Sequence, residues 1–224
     1  MKKYIILAMV TLLLSSCAEQ ITRLAQYPKM YEEKPLSIAV MPPINQTNFV
    51  EAKDYFYTTL YAPLCEKGYY VYSPMMTMEM FQAESAYDAE QFIEADLSPF
   101  RNVLGADAAM FTIIKSWKRS KIGGSLTAGV EYILRSTKTG ETLYRREGLI
   151  SVDTSIHSGA SGLFGALVDI AATAINTAAT DKIVAGRKCT LFVLSDMPEG
   201  KYSTKFDQDQ NLPAGKSYIK ATVK

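Results

Sequence analysis

The sequence is poor in the residue types from which metal centres and many active sites are built. Its 224 residues include one histidine and three cysteines, without a CxxC pair. Because the common zinc sites combine several cysteine and histidine ligands, no metal site is predicted. The glycine-rich stretch 159–165 lacks both the GxGxxG pattern and the lysine of a phosphate-binding loop, so no nucleotide cofactor is predicted. With 24 basic and 23 acidic residues, the chain also lacks the basic excess expected for a nucleic-acid partner.

The N-terminal residues match a secretory signal that ends in a lipid-attachment cysteine. Residues 1–3 are positively charged, and an apolar stretch, 4–14, follows that is too short for a transmembrane helix. It ends in Leu14-Ser15-Ser16-Cys17, the pattern of the bacterial lipoprotein box, in which cleavage precedes the cysteine and acyl chains such as palmitate are attached to it. A plain secretory signal with a chance cysteine is the alternative, which the match at all four positions disfavours. We predict a signal peptide over residues 1–16 and lipid attachment at Cys17.

The residues after the cysteine favour a position on the outer membrane. Two or three acyl chains on one residue anchor a protein stably without a membrane span. Cys17 is followed by Ala18 and not by aspartate, and no dense acidic run follows. By resemblance to sorting in enteric bacteria, this predicts an outer-membrane anchor with the domain facing the periplasm. Residues 17–35 are polar and contain two prolines, which predicts a lipidated tether that holds the domain away from the bilayer.

The pattern of apolar residues predicts an α/β fold. The predicted strands are 36–41, 69–72, 106–117 and a hairpin of 126–136 and 141–151, and the predicted helices are 51–66, 75–83 and 98–104. This order, β-α-β-α-β and then an antiparallel hairpin, predicts a three-layer-like mixed sheet packed by helices. The first strand, in SIAVMPPINQTN, is predicted to stop at Pro42-Pro43, because proline cannot donate to a ladder.

The C-terminal part is predicted to be helical and then irregular. Small and apolar residues at helical spacing from Gly159 to Leu194 predict a long helical segment, either one helix or two with a break near Gly186. Its small residues suit either a core helix or an oligomer face, so a homo-oligomer remains one prediction. The tail from Pro198 is polar and is predicted to run over the surface. Residues 36–224 are therefore predicted to form a single domain with a polar tail.

Two groups of residues could carry chemistry but have simpler interpretations. His157 lies near Asp153 and two serines, as a hydrolase would require, but the Gly-x-Ser-x-Gly spacing is absent, which favours an ordinary loop histidine. Cys65 and Cys189 could form a disulfide in the oxidising periplasm, or could be two small buried residues, the interpretation we favour. No catalytic residue is predicted.

Four stretches taken together resemble a known family. They are SIAVMPPINQTN, YAPLCEKGYYVYSP, LGADAAMFTIIKSW and TGETLYRR. In this order and spacing they resemble a family of bacterial lipoproteins of unknown function that includes a genome-derived neisserial antigen. The resemblance implies a fold similar to the N-terminal region of TolB and to the curli-secretion and penicillin-binding-protein-activator (LpoB-type) lipoproteins. Those proteins work through protein contacts in the envelope and not through catalysis.

The predicted function follows from the lipid anchor and the resemblance. We predict a non-catalytic component of an envelope or export assembly, with envelope proteins, including curli-secretion-like lipoproteins, as candidate partners. The residues predicted to contact a partner are Asn45, Tyr69, Tyr70 and Tyr72. Two alternatives remain: an envelope enzyme, which would need paired carboxylates or a nucleophile beside His157, and a carrier of a cell-wall or small apolar ligand, suggested by the same tyrosines.

Overall fold

A computed structural model describes residues 20–83, 89–119, 125–153 and 178–223. The helices are α1 Arg23–Gln26, α2 Pro28–Glu33, α3 Ala52–Glu66, α4 Pro74–Ala83, a 3₁₀ helix Ala89–Phe92, α5 Ser98–Leu104 and α6 Ala178–Val193. The strands are β1 Ser37–Val40, β2 Ile44–Asn45, β3 Tyr70–Val71, β4 Ala108–Arg119, β5 Ser125–Ser136, β6 Thr142–Asp153 and β7 Tyr218–Val223. The predicted signal peptide, Cys17, His157 and the first part of the predicted C-terminal helical segment lie outside the described residues.

The strands form one mixed sheet in the order β3-β1-β4-β5-β6-β7, with β2 also paired to β4. Strand β1 runs parallel to β3 and β4, which lie on either side of it. All four of its residues are buried, as an unbroken apolar strand between two parallel neighbours requires. Strands β4, β5 and β6 are antiparallel, and β7 runs parallel to β6. The predicted mixed α/β sheet is confirmed.

Helices cover both faces of the sheet. Successive residues of a strand point to opposite faces, so Met110 of β4 belongs to one core and Phe111 to the other. The first core lies against α2, α3 and α6. The second is closed by Phe81 of α4 and Phe100 of α5, together with the 3₁₀ helix. Helix, sheet and helix therefore form the three layers that the order of elements predicted.

Pro42 and Pro43 interrupt the first strand without ending its course along the sheet. The Met41 amide still donates to the Met110 carbonyl at 2.9 Å. After the two prolines, β2 pairs with Ile113 and Ile114 of β4, in the same parallel sense as β1. The sequence predicted a stop here because the missing proline amides break the ladder locally. The pairing with β4 resumes at β2, because the Ile44 side chain packs in the second core.

The segment predicted as a tether is packed against the domain over most of its length. Helices α1 and α2 lie within it, and the side chains of Tyr27 and Met30 are each 3% exposed in the first core. Thr22 forms an isolated antiparallel bridge with Pro213. The described chain therefore joins the folded domain from Ile21 onward, far earlier than residue 36.

The described C-terminal part selects one of the predicted alternatives and adds a strand that was not predicted. Helix α6 runs without a break through Gly186, whose lack of a side chain lets the helix approach α3: a Cβ there would lie 3.4 Å from the Thr59 hydroxyl. The polar tail runs along the surface and ends in β7, which adds a strand to the sheet beside β6. Its alternating exposed and half-buried residues fit an edge strand with one packed face.

A buried polar network joins the two ends of the domain. The Asp196 carboxylate accepts hydrogen bonds from the Tyr27 hydroxyl at 2.8 Å, the Tyr144 hydroxyl at 3.0 Å and the Gly215 amide at 2.8 Å. The Arg146 guanidinium lies 2.7 Å from the same carboxylate, and the two side chains are 5% and 6% exposed. Burial, followed by the Asp196 charge, raises the pKa of both Tyr27 and Tyr144, so both hydroxyls remain donors.

Candidate functional site

The side-chain amide of Asn45 is used inside its own turn. Its Oδ1 accepts from the Thr47 amide at 3.0 Å and from the Thr47 hydroxyl at 2.7 Å, while its Nδ2 donates to the Phe49 carbonyl at 2.8 Å. Asparagine commonly organises turns in this way. The structure therefore gives Asn45 a local role in the connection from β2 to α3.

Tyr69 is buried and does not reach the surface. Its side chain is 4% exposed, and its hydroxyl donates to the Pro198 carbonyl at 2.6 Å. Burial raises the pKa of this hydroxyl well above its ordinary value. A partner protein cannot contact Tyr69 in this arrangement, which leaves Tyr70 and Tyr72 of the predicted tyrosine cluster.

Tyr70 and Tyr72 lie at the edge of the sheet formed by β3. The Tyr70 side chain is 51% exposed. Tyr72 is half-buried, and its hydroxyl donates to the Leu104 carbonyl at 2.6 Å, at the end of α5. The two rings meet edge to face with their centroids 5.2 Å apart. Tyr72 is therefore fixed by the protein, and it supports a neighbouring ring that faces solvent.

A third tyrosine, which sequence reasoning missed, belongs to the same surface. Tyr61 of α3 is 42% exposed. Helix α3 contacts β3, the strand that carries Tyr70. A hydrogen bond with the Cys65 thiol raises the pKa of Tyr61, and the charge of Tyr70 raises it further. The sequence did contain a signal for this residue: Tyr61 is an aromatic residue that stands outside the apolar row of Phe56, Leu60 and Leu64 at helical spacing. We refer to Tyr61, Tyr70 and Tyr72 as the tyrosine edge.

Two exposed apolar residues lie close to the tyrosine edge, one through the chain and one through the hydrogen bond of Tyr72. Met75, three residues after Tyr72, is 72% exposed at the start of α4. Val103, next to the residue that accepts the Tyr72 hydrogen bond, is also 72% exposed. Met78, in the same helix as Met75, packs instead against the first core.

Asp107, part of the family-like GADA stretch, fixes the start of β1 beside β4. Its carboxylate accepts hydrogen bonds from the Leu36 amide at 3.0 Å and from the Ser37 amide and hydroxyl, each at 3.1 Å. A carboxylate that accepts several main-chain donors is a strong local cap. The motif therefore has a structural role, and it supports the neighbouring strand β3 through β1.

The glycine of the GYYV stretch positions the chain just before β3. Gly68 adopts a φ of +84°, and the turn at residues 200–203 packs directly on it. The Gly200 amide donates to the Lys67 carbonyl at 2.7 Å, and the Tyr202 amide donates to the Gly68 carbonyl at 2.9 Å. These contacts orient the tyrosines that follow Gly68.

A pocket beside Tyr69 is too small for the ligand that the carrier alternative requires. Its volume is about 10 Å³, and its lining includes Tyr31, Tyr69, Pro198 and Phe206. That volume is about what one water molecule needs, whereas ligand sites usually measure roughly 300–1,000 Å³. The tyrosines around it are packed against protein and do not surround a cavity.

Other candidate sites are either unformed or outside the described residues. Cys65 and Cys189 are both free thiols; Cys189 is fully buried, as the favoured interpretation predicted, whereas Cys65 is only half-buried. Within ranges 20–83, 89–119, 125–153 and 178–223, no group of three or more acidic, cysteine or histidine residues is placed to hold a metal ion. In the same ranges no helix combines the length and apolar character that a membrane crossing needs. The prediction for His157 is not addressed, because that residue is not described.

Comparison with known proteins agrees with the resemblance of the sequence motifs. The family described as "Putative lipoprotein GNA1162-like" matches residues 25–198. The "Putative lipoprotein NMB1124/NMB1162" of Neisseria meningitidis serogroup B is 27% identical over 184 residues, covering 81% of this chain and 85% of that protein. The crystal structure of lipoprotein GNA1162 from N. meningitidis superposes with a TM-score of 0.51 at 24% identity, covering 62% of this chain and 96% of that one. The LpoB C-terminal domain from Escherichia coli gives a TM-score of 0.35 at 17% identity, covering 56% of this chain and 94% of that one.

The family match covers the two motifs that were given structural roles above. It includes Gly68 before β3 and Asp107 before β4, and it extends from α1 past the end of α6. The crystal structure of the neisserial lipoprotein shows a similar fold. The chain therefore belongs to the GNA1162-like lipoprotein family.

Proposed function

We propose that the protein is an outer-membrane lipoprotein, anchored by acyl chains on Cys17, whose periplasm-facing domain binds an envelope protein through the tyrosine edge and catalyses no reaction. The observation that carries this proposal is the exposure of aromatic side chains at the β3 edge, where Tyr70 is 51% and Tyr61 42% exposed. The family membership supports the lipid anchor, because the relatives are named as lipoproteins.

The tyrosine edge has the character of a protein contact and not of a ligand cavity. Single exposed apolar residues are ordinary, but a group of aromatic and methionine side chains is typical of the centre of a protein interface. Tyr70 is held by the ring of Tyr72 and by its place in β3, so little side-chain freedom is lost when a partner binds. Strand β3 spans two residues, which limits strand addition and favours recognition by side chains.

Replacing Cys17 with alanine should release the protein from membranes. Without the thiol no diacylglycerol can be attached, and the family's anchor would be lost. We expect complete loss of lipid labelling and transfer of the protein from the membrane fraction to the soluble periplasmic fraction. Fractionation after radiolabelled palmitate incorporation measures both effects, with Cys65→Ala as the matched cysteine control. A Cys17→Ala protein that still sediments with membranes would refute the anchor.

Replacing Tyr70 with glutamate should weaken partner binding strongly. A charge in the centre of an aromatic contact removes packing and leaves a carboxylate to be desolvated, which typically costs about tenfold or more in affinity, that is, about 1.4 kcal/mol or more. A photo-crosslinking amino acid at Met75 should capture a protein adduct of defined mass in living cells. We expect Tyr70→Glu to reduce the yield of that adduct by about tenfold.

A matched variant separates this effect from a general change of surface charge. Tyr218 is 49% exposed in β7, at the opposite edge of the sheet from β3, so Tyr218→Glu should leave the adduct unchanged. Urea unfolding of both variants should show equal midpoints. If the adduct forms as well with Tyr70→Glu as with the unmodified protein, the tyrosine edge is not the binding surface.

A further inference from the structure

Three exposed apolar side chains lie together where the described chain enters the domain. Ile21 is 58%, Leu24 40% and Leu212 48% exposed. Main-chain hydrogen bonds hold these segments side by side: the Arg23 amide donates to the Leu212 carbonyl at 2.9 Å, and the Ala214 amide donates to the Ile21 carbonyl at 2.8 Å. We refer to Ile21, Leu24 and Leu212 as the N-terminal apolar patch.

The patch is a fixed part of the domain. Arg23, between two of its residues, forms a 3.0 Å ion pair with Asp209, and these side chains are 12% and 2% exposed. The Asp209 carboxylate also accepts from the Glu199 amide at 3.0 Å. Thr22 caps α1 by accepting from the Ala25 amide at 3.3 Å. Apolar side chains held in this way remain exposed because nothing in the described domain covers them.

The position of the lipid-attachment cysteine brings this patch close to a bilayer. Cys17 precedes Ile21 by four residues, and four residues span at most about 14 Å when fully extended. Acyl chains on Cys17 would hold it at the border of the hydrocarbon, beneath a polar headgroup layer roughly 5–8 Å thick. Ile21 therefore cannot lie farther from that border than about 14 Å, whatever path the chain takes.

We infer that the N-terminal apolar patch rests on the membrane surface, with Ile21, Leu24 and Leu212 in the interfacial layer of the bilayer that holds the acyl chains. The inference rests on the proposed function, because it requires lipid on Cys17. Apolar side chains beside a lipid anchor strengthen membrane binding and set one orientation. Lys216, close to Leu212 along the chain, is exposed and suits an anionic headgroup.

The test uses the full lipidated protein in vesicles of phosphatidylethanolamine and phosphatidylglycerol that contain a phospholipid with a carbene-forming group near the glycerol. Mass spectrometry after irradiation maps the modified residues. We expect modification in residues 20–24 and 210–214, and none at Val50, which is 81% exposed elsewhere. Leu24→Asp with Leu212→Asp should lower modification at Ile21 by about fivefold. The double variant should still sediment with the vesicles. The control, Val50→Asp with Val103→Asp, should leave the modification at Ile21 unchanged.

The possible outcomes distinguish this inference from the anchor on which it rests. If the protein sediments with the vesicles but all its exposed apolar residues are modified equally, the membrane contact of the patch is refuted and the proposal of a lipid anchor stands. Crosslinks between two copies at the patch do the same, since they identify a second copy as the occupant. Wild-type protein that does not sediment overturns both proposals. If the double variant unfolds, the single variant Ile21→Ser, at the most exposed position of the patch, replaces it, and modification at Leu24 and Leu212 is compared with that of the unmodified protein.

Discussion

The Asp196→Ala variant is expected to lose about 3–5 kcal/mol in the free energy of unfolding, a large share of the stability of a single domain. The aspartate neutralises Arg146 in a position where both side chains are almost fully buried. Its removal leaves the guanidinium without a counter-charge in a poorly solvated site. The buried Tyr27 hydroxyl also loses its acceptor, which adds to the cost, whereas the Tyr144 hydroxyl can still donate to the Val193 carbonyl at 3.0 Å.

Urea unfolding of the non-lipidated chain measures this loss as a shift in the midpoint at constant slope. The matched control is Glu66→Ala, which breaks an ion pair of similar length with Arg187, 3.1 Å, at side-chain exposures of 36% and 54%. Exposed pairs contribute at most about 1 kcal/mol, so the control should change little. Asp196→Asn, which keeps the size and one acceptor oxygen, should fall between the two. Equal losses for Asp196→Ala and Glu66→Ala would show that the buried network does not hold the ends of the domain together.

The Gly68→Ala variant is expected to lose a similar amount, about 3–5 kcal/mol, for a steric reason. The residue lies in the left-handed region, which costs a side-chain-bearing residue roughly 1–2 kcal/mol. A Cβ at this position would lie 2.2 Å from the Ser203 amide nitrogen, so the turn at residues 200–203 must move away. That movement breaks the hydrogen bonds of Gly200 and Tyr202 with the chain before β3, each worth about 1 kcal/mol.

Gly140→Ala separates the backbone cost from the clash. Gly140 has a comparable φ of +72°, but the nearest atom to its Cβ would be an Arg135 nitrogen at 3.4 Å, on a long side chain that can adjust. We expect this control to lose about 1 kcal/mol. Calorimetry or urea unfolding of both variants gives the difference. If the two variants lose equal stability, the contact between Gly68 and the turn at residues 200–203 is not rigid.

The elements that sequence reasoning located correctly are those whose signals are local. The long apolar run of β4 identifies that strand, and the glycine at the end of the β5–β6 loop identifies the hairpin, both from neighbouring residues alone. The elements that it missed depend on distant partners. Tyr27 lies buried where Asp196, 169 residues later, accepts a hydrogen bond from its hydroxyl, and no local pattern in a polar segment with prolines shows this. Strand β7 likewise gains its place from β6 and not from its own alternation.

The candidate surface was predictable in composition but not in detail. The sequence shows three tyrosines around β3, but Tyr69 and Tyr70 are adjacent and must point in opposite directions. Which of them faces solvent depends on the turn at residues 200–203 that covers Tyr69. Tyr61 joins the surface because α3 lies beside β3, and this relation appears only in the tertiary structure.

The bridge between Thr22 and Pro213 has a consequence for the order in which the chain can fold. The first and the last parts of the described chain complete the same core, so the N-terminal helices have no finished binding surface until the final residues are present. Contacts of such long sequence separation slow folding, because a large loop must close before they form. Under the proposed export from the N-terminus onward, the chain would remain incompletely folded during its passage. The residues next to Cys17, the proposed site of lipid attachment, would be among the last to become fixed.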